Sequence, residues 1–323
     1  MSRDRARPDH ITRQSESSQT VTSPLIDTPQ YVADMTEGTY HADPVSGGSL
    51  SCSMAKVLIR PGGPAKLRHQ LDHGTKPKRV FDLGHAAHLL VLGKGLPLAI
   101  IPDDYLGSNG AASTKAAKEF IDTARAEGKV PLKTSEAQQI TDMADALTAN
   151  PEADEVLHAE ARQVELSAFA QDEQTGVWLR CRFDLVAPGV VADYKTAADA
   201  DPSKFARRTM LDLGYHMQAA HYLDMAHCLG LANPDAGFAF IVQEKEPPYL
   251  AAVVTVGDDY LALGRRDMRT AIDLWAECNR TGQWPGYPAT IAEPPKWALD
   301  ELDSVLDPAV ETELLALIER TAS

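Results

Sequence analysis

Asp184, Asp193 and Lys195 are the residues whose types and spacing best suit chemistry. They lie in the stretch RFDLVAPGVVADYK, from Arg182 to Lys195. Two runs, Val177 to Val186 and Val190 to Thr196, flank Ala187-Pro188-Gly189, where Pro and Gly supply turn geometry, so the stretch predicts a β-hairpin. Side chains alternate along a strand, which sends Asp193 and Lys195 to one side and Tyr194 to the other, with Asp184 near the end of the first strand. Two carboxylates and an ammonium can then converge. Clustered carboxylate oxygens suit a hard cation such as Mg²⁺, with Mn²⁺ as the variant, and a neighbouring lysine can orient or help deprotonate a water. That is the chemistry of phosphodiester cleavage. An Asp-x-Lys tripeptide alone is more often a solvated strand edge or a weak cross-strand pair. Here Phe183, Leu185, Val186 and Val190-Val191-Ala192 surround the charges with apolar residues, and a charge kept in such a setting needs a metal or a partner.

Further segments follow in order: SLSCSMAKVLIRPGGPAKLRHQ, GHAAHLLVLG, VELSAFAQDEQTGVWLRCRFDLV, VADYKTAAD, GYHMQAAHYLD, FIVQEKEPPY and WPGYP. Together, from about Tyr40 to Trp297, they resemble the PD-(D/E)XK nuclease superfamily, and within its RecB-like branch the RecE-type (exonuclease VIII) phage and prophage exonucleases. The resemblance implies an α/β fold with a mixed central sheet flanked by helices. It makes Asp184 and Asp193 the metal-binding acids, Lys195 the motif lysine and His88 the helix-borne histidine beside the metal. Gln218 and Tyr222 match a Gln-x-x-x-Tyr helix motif, and Glu165 falls at an acidic position that often precedes the hairpin. It further implies a Mg²⁺-dependent exonuclease that degrades linear double-stranded DNA from its ends, 5′ to 3′, as a ring-shaped homo-oligomer. The single strands would go to an annealing recombinase in the cytoplasm of a bacterium hosting the phage or prophage. The alternatives are an endonuclease on the same fold, acting on branched or foreign DNA, and a non-catalytic DNA-binding recombination factor. The residues themselves do not carry strand polarity.

Gln218 and Tyr222 are four apart, so on a helix they share a face and can reach one ligand; the plainer reading packs Tyr222 half-buried and leaves Gln218 on the surface. His88 sits among Ala86, Ala87, Leu89, Leu90 and Val91, where a lone histidine is more often a satisfied core residue than a ligand. His85 would lie near it on a helix, but carboxylates favour Mg²⁺ or Mn²⁺ over zinc.

The formal net charge of −15 works against a nucleic-acid ligand, since phosphate contacts supply most non-specific affinity. Local charge offsets this. Arg60, Lys66, Arg68, Lys76, Lys78 and Arg79 cluster against Asp72 alone, and Arg207 and Arg208 follow the motif lysine. With Arg182 on the hairpin, Arg68, Lys76, Lys78, Arg79, Arg207 and Arg208 are the expected DNA-binding cations, unless they are merely solvated loop charges. Cys52, Cys181, Cys228 and Cys278 form no C-x-x-C pair, which argues against zinc modules and an iron–sulfur cluster and predicts free buried thiols. No apolar run is long enough for a membrane span, and Met1 to Gln30 has no signal-peptide core, so a cytoplasmic protein is expected.

Organisation along the chain is simple. Residues 1–35 are polar and predict a disordered arm, 36–300 the nuclease domain, and 301–323 an amphipathic C-terminal helix. Within the domain, helices are predicted at Ser49–Leu58, Arg79–Leu92, Lys115–Glu127, Ser135–Ala149, Ala153–Glu160, Pro202–Leu229 and Asp258–Arg280. A first strand, Gln163–Ala170, precedes the hairpin, and a second hairpin pairs Ala236–Gln243 with Tyr249–Val256. Trp284-Pro285-Gly286-Tyr287 reads as a packed turn.

Overall fold

The computed structural model describes residues 26–74, 87–88, 90–93, 97–305, 312 and 320. Its centre is a mixed seven-stranded sheet in the order β1 (Gln30–Val32), β5 (Gln163–Gln171), β6 (Trp178–Ala187), β7 (Val190–Ala197), β8 (Gly237–Glu244) and β9 (Ala251–Thr255), with β2 (Leu50–Ser51) pairing β6 off this path. β6 runs antiparallel to both its neighbours, β5 and β7; β7 and β8 are parallel, and β9 returns antiparallel. A separate parallel pair, β3 (Leu98–Ile101) and β4 (Val130–Lys133), was not foreseen, its strands being only four residues long.

Helices cover both faces. α1 (Glu37–His41) and α2 (Cys52–Leu58) precede α3 (Gly63–His73), and α2 starts where the Ser51 side chain accepts the Met54 N–H. Gly62, with φ 70°, turns the chain after α2, and Pro64 lies in the first turn of α3, where its missing N–H costs nothing. α4 (Lys115–Ala126), α5 (Thr134–Thr148) and α6 (Pro151–Leu157) follow the expected Ala-rich segments. α7 (Tyr215–Cys228) and α8 (Asp258–Thr281) pack on the other face; Gly264 of α8 lies so close to α7 that a Cβ there would stand 2.1 Å from the His216 carbonyl oxygen. Leu166, Cys181, Phe183, Val191, Phe238 and Phe240 form the core against Ala219, Ala220 and Leu223 of α7.

Three expectations are corrected. The arm does not extend to residue 35: Ile26 and Met35 are buried, and β1 pairs antiparallel with β5. Even this polar stretch carries enough apolar side chains to close the sheet edge. The single long helix over Pro202–Leu229 is instead a series of short turns at 202–212, π-helical over Phe205–Thr209, that ends at Gly214 in the left-handed conformation before α7 begins. Of the four cysteines, Cys228 is exposed and the others are buried. Residues 87–88 and 90–92 are helical, as predicted, while most of the arm, the rest of the Arg79–Leu92 segment and most of the C-terminal helix beyond α9 (Lys296–Val305) lie outside the described residues.

Candidate active site

The site begins with a break in strand geometry. Val164 pairs with Leu185 and Leu166 with Phe183, so Glu165 and Asp184 stand opposite each other at a step with no backbone pair. Glu165 holds φ 53°, a left-handed conformation inside a strand, costing on the order of 1–2 kcal/mol for a residue with a Cβ. Beyond this step the alternation is shifted. Leu166 and Phe183 pack towards α7, whereas Val164 and Leu185, two positions away on their strands, pack on the opposite face with Val156 of α6.

The neighbouring ladder stops at the same level. Leu185 pairs with Ala192, but the next step, Asp184 against Asp193, carries no backbone pair; the Tyr194 N–H donates instead to the Asp184 carboxylate at 2.8 Å. On that side of β6 the next strand is β2, at Leu179 and Arg180. A gap between β2 and β7 is therefore left alongside Asp184.

His88, Glu165 and Asp184 offer ligand atoms that all lie within 4.8 Å of one another. His88 Nδ1 is 3.5 Å from Asp184 and 3.9 Å from Glu165. Burial disfavours a charged His88, but Asp184 and Glu165 outweigh it and push its pKa up to about 9. Burial first, then the Asp193 charge, raise the Asp184 carboxyl above the ordinary carboxylate range. Glu165 is pulled the other way: burial opposes its ionisation, yet His88 and Arg182 hold it below the usual value, the Arg182 Nε donating at 2.8 Å. Two carboxylates and one imidazole nitrogen fit an oxygen-preferring divalent ion.

Asp193 lies beside this trio rather than in it. It is 3 % exposed; one oxygen accepts from Gln218 Nε2 at 2.5 Å and the other meets the Lys195 ammonium. Burial would lower the Lys195 pKa, but Asp193 and Asp184 raise it above the ordinary lysine value, so the residue is a firm ammonium. Asp193 and Lys195 share a face as the spacing predicted, while Tyr194 points away, its hydroxyl donating to Gln243 at 2.6 Å. The sequence placed Glu165 at the margin of the site and Asp193 in the ligand set; the geometry brings Glu165 into the cluster and ties Asp193 to Lys195 and Gln218.

Tyr222 does not join Gln218 at Asp193; its ring packs edge-on against Phe183 at 5.6 Å, and burial drives its phenol pKa well upward. Arg182 is spent inside the fold, on Glu165, Ser167 and the Met35 carbonyl. Arg68 pairs with Asp72 and lies over the Trp284 ring, and Lys66 donates to the Tyr287 hydroxyl, so part of the basic stretch fastens α3 to the Trp284–Tyr287 turn. Arg207 and Arg208 are exposed, and Arg208 faces Asp212 at 3.5 Å. Lys76, Lys78, Arg79 and His85 lie outside the described residues. Sequence reasoning missed Lys56 of α2, whose ammonium lies 5.0 Å from the Tyr215 ring centre.

Comparison with known proteins agrees with this architecture. Residues 51–293 match the family described as a PDDEXK-like domain of unknown function (DUF3799). A solved structure from Eubacterium rectale, described as a "Putative exonuclease", superposes with a TM-score of 0.54 at 13% identity, covering 81% of this chain and 96% of its own. At that identity the likeness shows the fold alone. The solved structure of SSO0001, at 14% identity over 72% of this chain and 85% of its own, has a TM-score of 0.25 and carries no weight. No curated protein matches the chain.

Proposed function

The chain belongs to the PDDEXK-like family DUF3799, and from that premise we propose that it is a divalent-metal-dependent nuclease that degrades linear double-stranded DNA from its ends. The observation that carries the proposal is the cluster of His88, Glu165 and Asp184 beside the buried Asp193 and its partly exposed partner Lys195. His88, Glu165 and Asp184 would hold the ion, with Asp193 adjacent. A bound Mg²⁺ or Mn²⁺ supplies charge stabilisation at the phosphoryl oxygens and a more acidic water. Lys195 stays charged throughout, so its part is to orient the attacking water and offset negative charge on the phosphate, while Gln218 fixes the Asp193 carboxylate that in turn positions Lys195. Arg182 keeps Glu165 ionised and aimed at the cluster.

The reading extends, on the resemblance of its motifs, to 5′-to-3′ resection, a ring of identical subunits and an annealing recombinase as partner, in the cytoplasm of a phage or prophage host. No described helix is long and apolar enough to cross a membrane. End-labelled linear duplex and closed circular duplex, each incubated with Mg²⁺ or with EDTA, test it together. Progressive loss of the linear substrate alone, in Mg²⁺ alone, is the expected result. Cutting of closed circles indicates an endonuclease on this fold, and no cutting with Mg²⁺ or Mn²⁺ overturns the catalytic reading.

A further inference from the structure

Lys56 is half-buried, and the charge around it is unbalanced. Its ammonium and that of Lys195 flank one aromatic ring, at 5.0 Å and 5.3 Å from the Tyr215 centroid. Asp193 compensates Lys195, but among the described residues no carboxylate stands within ion-pair distance of Lys56. Burial is the largest influence and lowers its pKa; Lys195 and Arg60 act in the same direction, Cys52 and Asp193 act against it, and the net shift is downward. A cation held against these costs without an internal partner is suited to an anion from outside the chain.

The backbone next to Lys56 points the same way. Tyr215 is the first residue of α7, a 14-residue helix that begins at Gly214, itself at φ 62° and ψ 34°. The first-turn N–H groups of a helix lack intrahelical acceptors and carry partial positive charge. The Lys56 stem lies directly on that turn: a Cβ at Gly214 would stand 3.2 Å from its Cγ and Cδ. Arg60, two residues past the end of α2, reaches the Asp212 carbonyl at 3.5 Å and ties that end of α2 to the turn leading into α7. Thus the helix break that the sequence did not predict lets a lysine of α2 lie across the start of α7, beside Lys195.

Resting on the nuclease reading, we propose that Lys56 and the first turn of α7 form a seat for a second backbone phosphate of the nucleic acid, next to the one to be cleaved. Lys56 is then a substrate-binding residue, and its contribution is electrostatic. Each phosphate contact adds roughly 0.9 to the slope of log affinity against log salt on duplex DNA.

The test is duplex binding by the full chain in EDTA across a salt series, for the wild type, Lys56→Met, Lys56→Gln and Lys56→Arg, with folding followed by circular dichroism. The Met and Gln variants should lose about one unit of slope, and Arg should retain it. In cleavage assays with Mg²⁺ the same two variants should raise KM more than they lower kcat. A wild-type slope in folded Lys56→Met and Lys56→Gln overturns the inference while leaving the nuclease reading intact. A wild-type protein that neither binds nor cuts duplex removes both.

Discussion

Glu165 and Asp184 face each other across β5 and β6 at a step where neither strand gives the other a backbone hydrogen bond, and both carboxylates turn to His88. The break that costs the sheet a pair is what brings the two side chains together. Glutamate is not a residue that favours a left-handed backbone, so the conformation is sustained by its surroundings, with Arg182 holding the side chain.

That strain sets an order among substitutions. Glu165→Gly should be more stable than Glu165→Ala by about 1 kcal/mol, although glycine is the poorer strand residue, because only glycine adopts φ 53° without penalty. Urea unfolding of the two variants decides it, and an alanine variant equal to or above glycine would remove the argument. Both should bind Mn²⁺ more weakly than the wild type.

Asp193→Asn keeps the size of a residue that is 3 % exposed while removing the charge opposite Lys195. Metal-dependent cleavage should fall by roughly two orders of magnitude or more, the scale seen when one electrostatic group is removed from an active site. Circular dichroism should still show a folded protein. A folded variant that digests end-labelled duplex at the wild-type rate would contradict the site assignment.

Gly264→Ala tests the seam between α7 and α8. Its Cβ would fall 2.1 Å from a backbone oxygen, which a rotamer change cannot relieve, so the helices must move apart. A loss of about 1–3 kcal/mol is expected, read as a lower Tm with Mg²⁺ absent.

Acid stability should depend on Asp267. Burial opposes its ionisation, but the hydrogen bond to His216 and the Arg266 guanidinium hold its pKa below 3.8. A carboxyl depressed in the fold contributes stability that is full above its unfolded pKa and is lost as pH falls through the folded value. Asp267→Asn should therefore destabilise the protein near pH 7 and flatten the decline in unfolding free energy below about pH 4. Denaturant titrations at a series of pH values measure both, and an unchanged acid limb would rule out this role.

Much of the frame was legible in the chain. The hairpin, β5, β8, β9, α8 and the order of elements follow from alternation, turn residues and helical spacing, which are local signals. The convergence of Asp193 with Lys195 also follows, because strand alternation is local. The role of Glu165 was not, since nothing in VELSAF marks a left-handed residue; the conformation is imposed by neighbours on another strand. Gly214 did carry a signal, a lone glycine in a helical pattern, but its meaning depends on a lysine in a distant helix. Tyr222 shows the converse: helical spacing correctly put it near Gln218, yet packing against Phe183 fixed where its ring went.

The turn at Ala187-Pro188-Gly189 spaces Asp184 against Asp193 through a ladder that pairs Ala187 with Val190 and Leu185 with Ala192. Adding or deleting one residue there would slide β7 by one position and exchange Asp193 and Lys195 for Ala192 and Tyr194 on the face they share. Selection on the reactive groups therefore extends to a count: kindred sequences are free to vary which amino acids make this bend, but an odd-numbered insertion in it would cost them the chemistry.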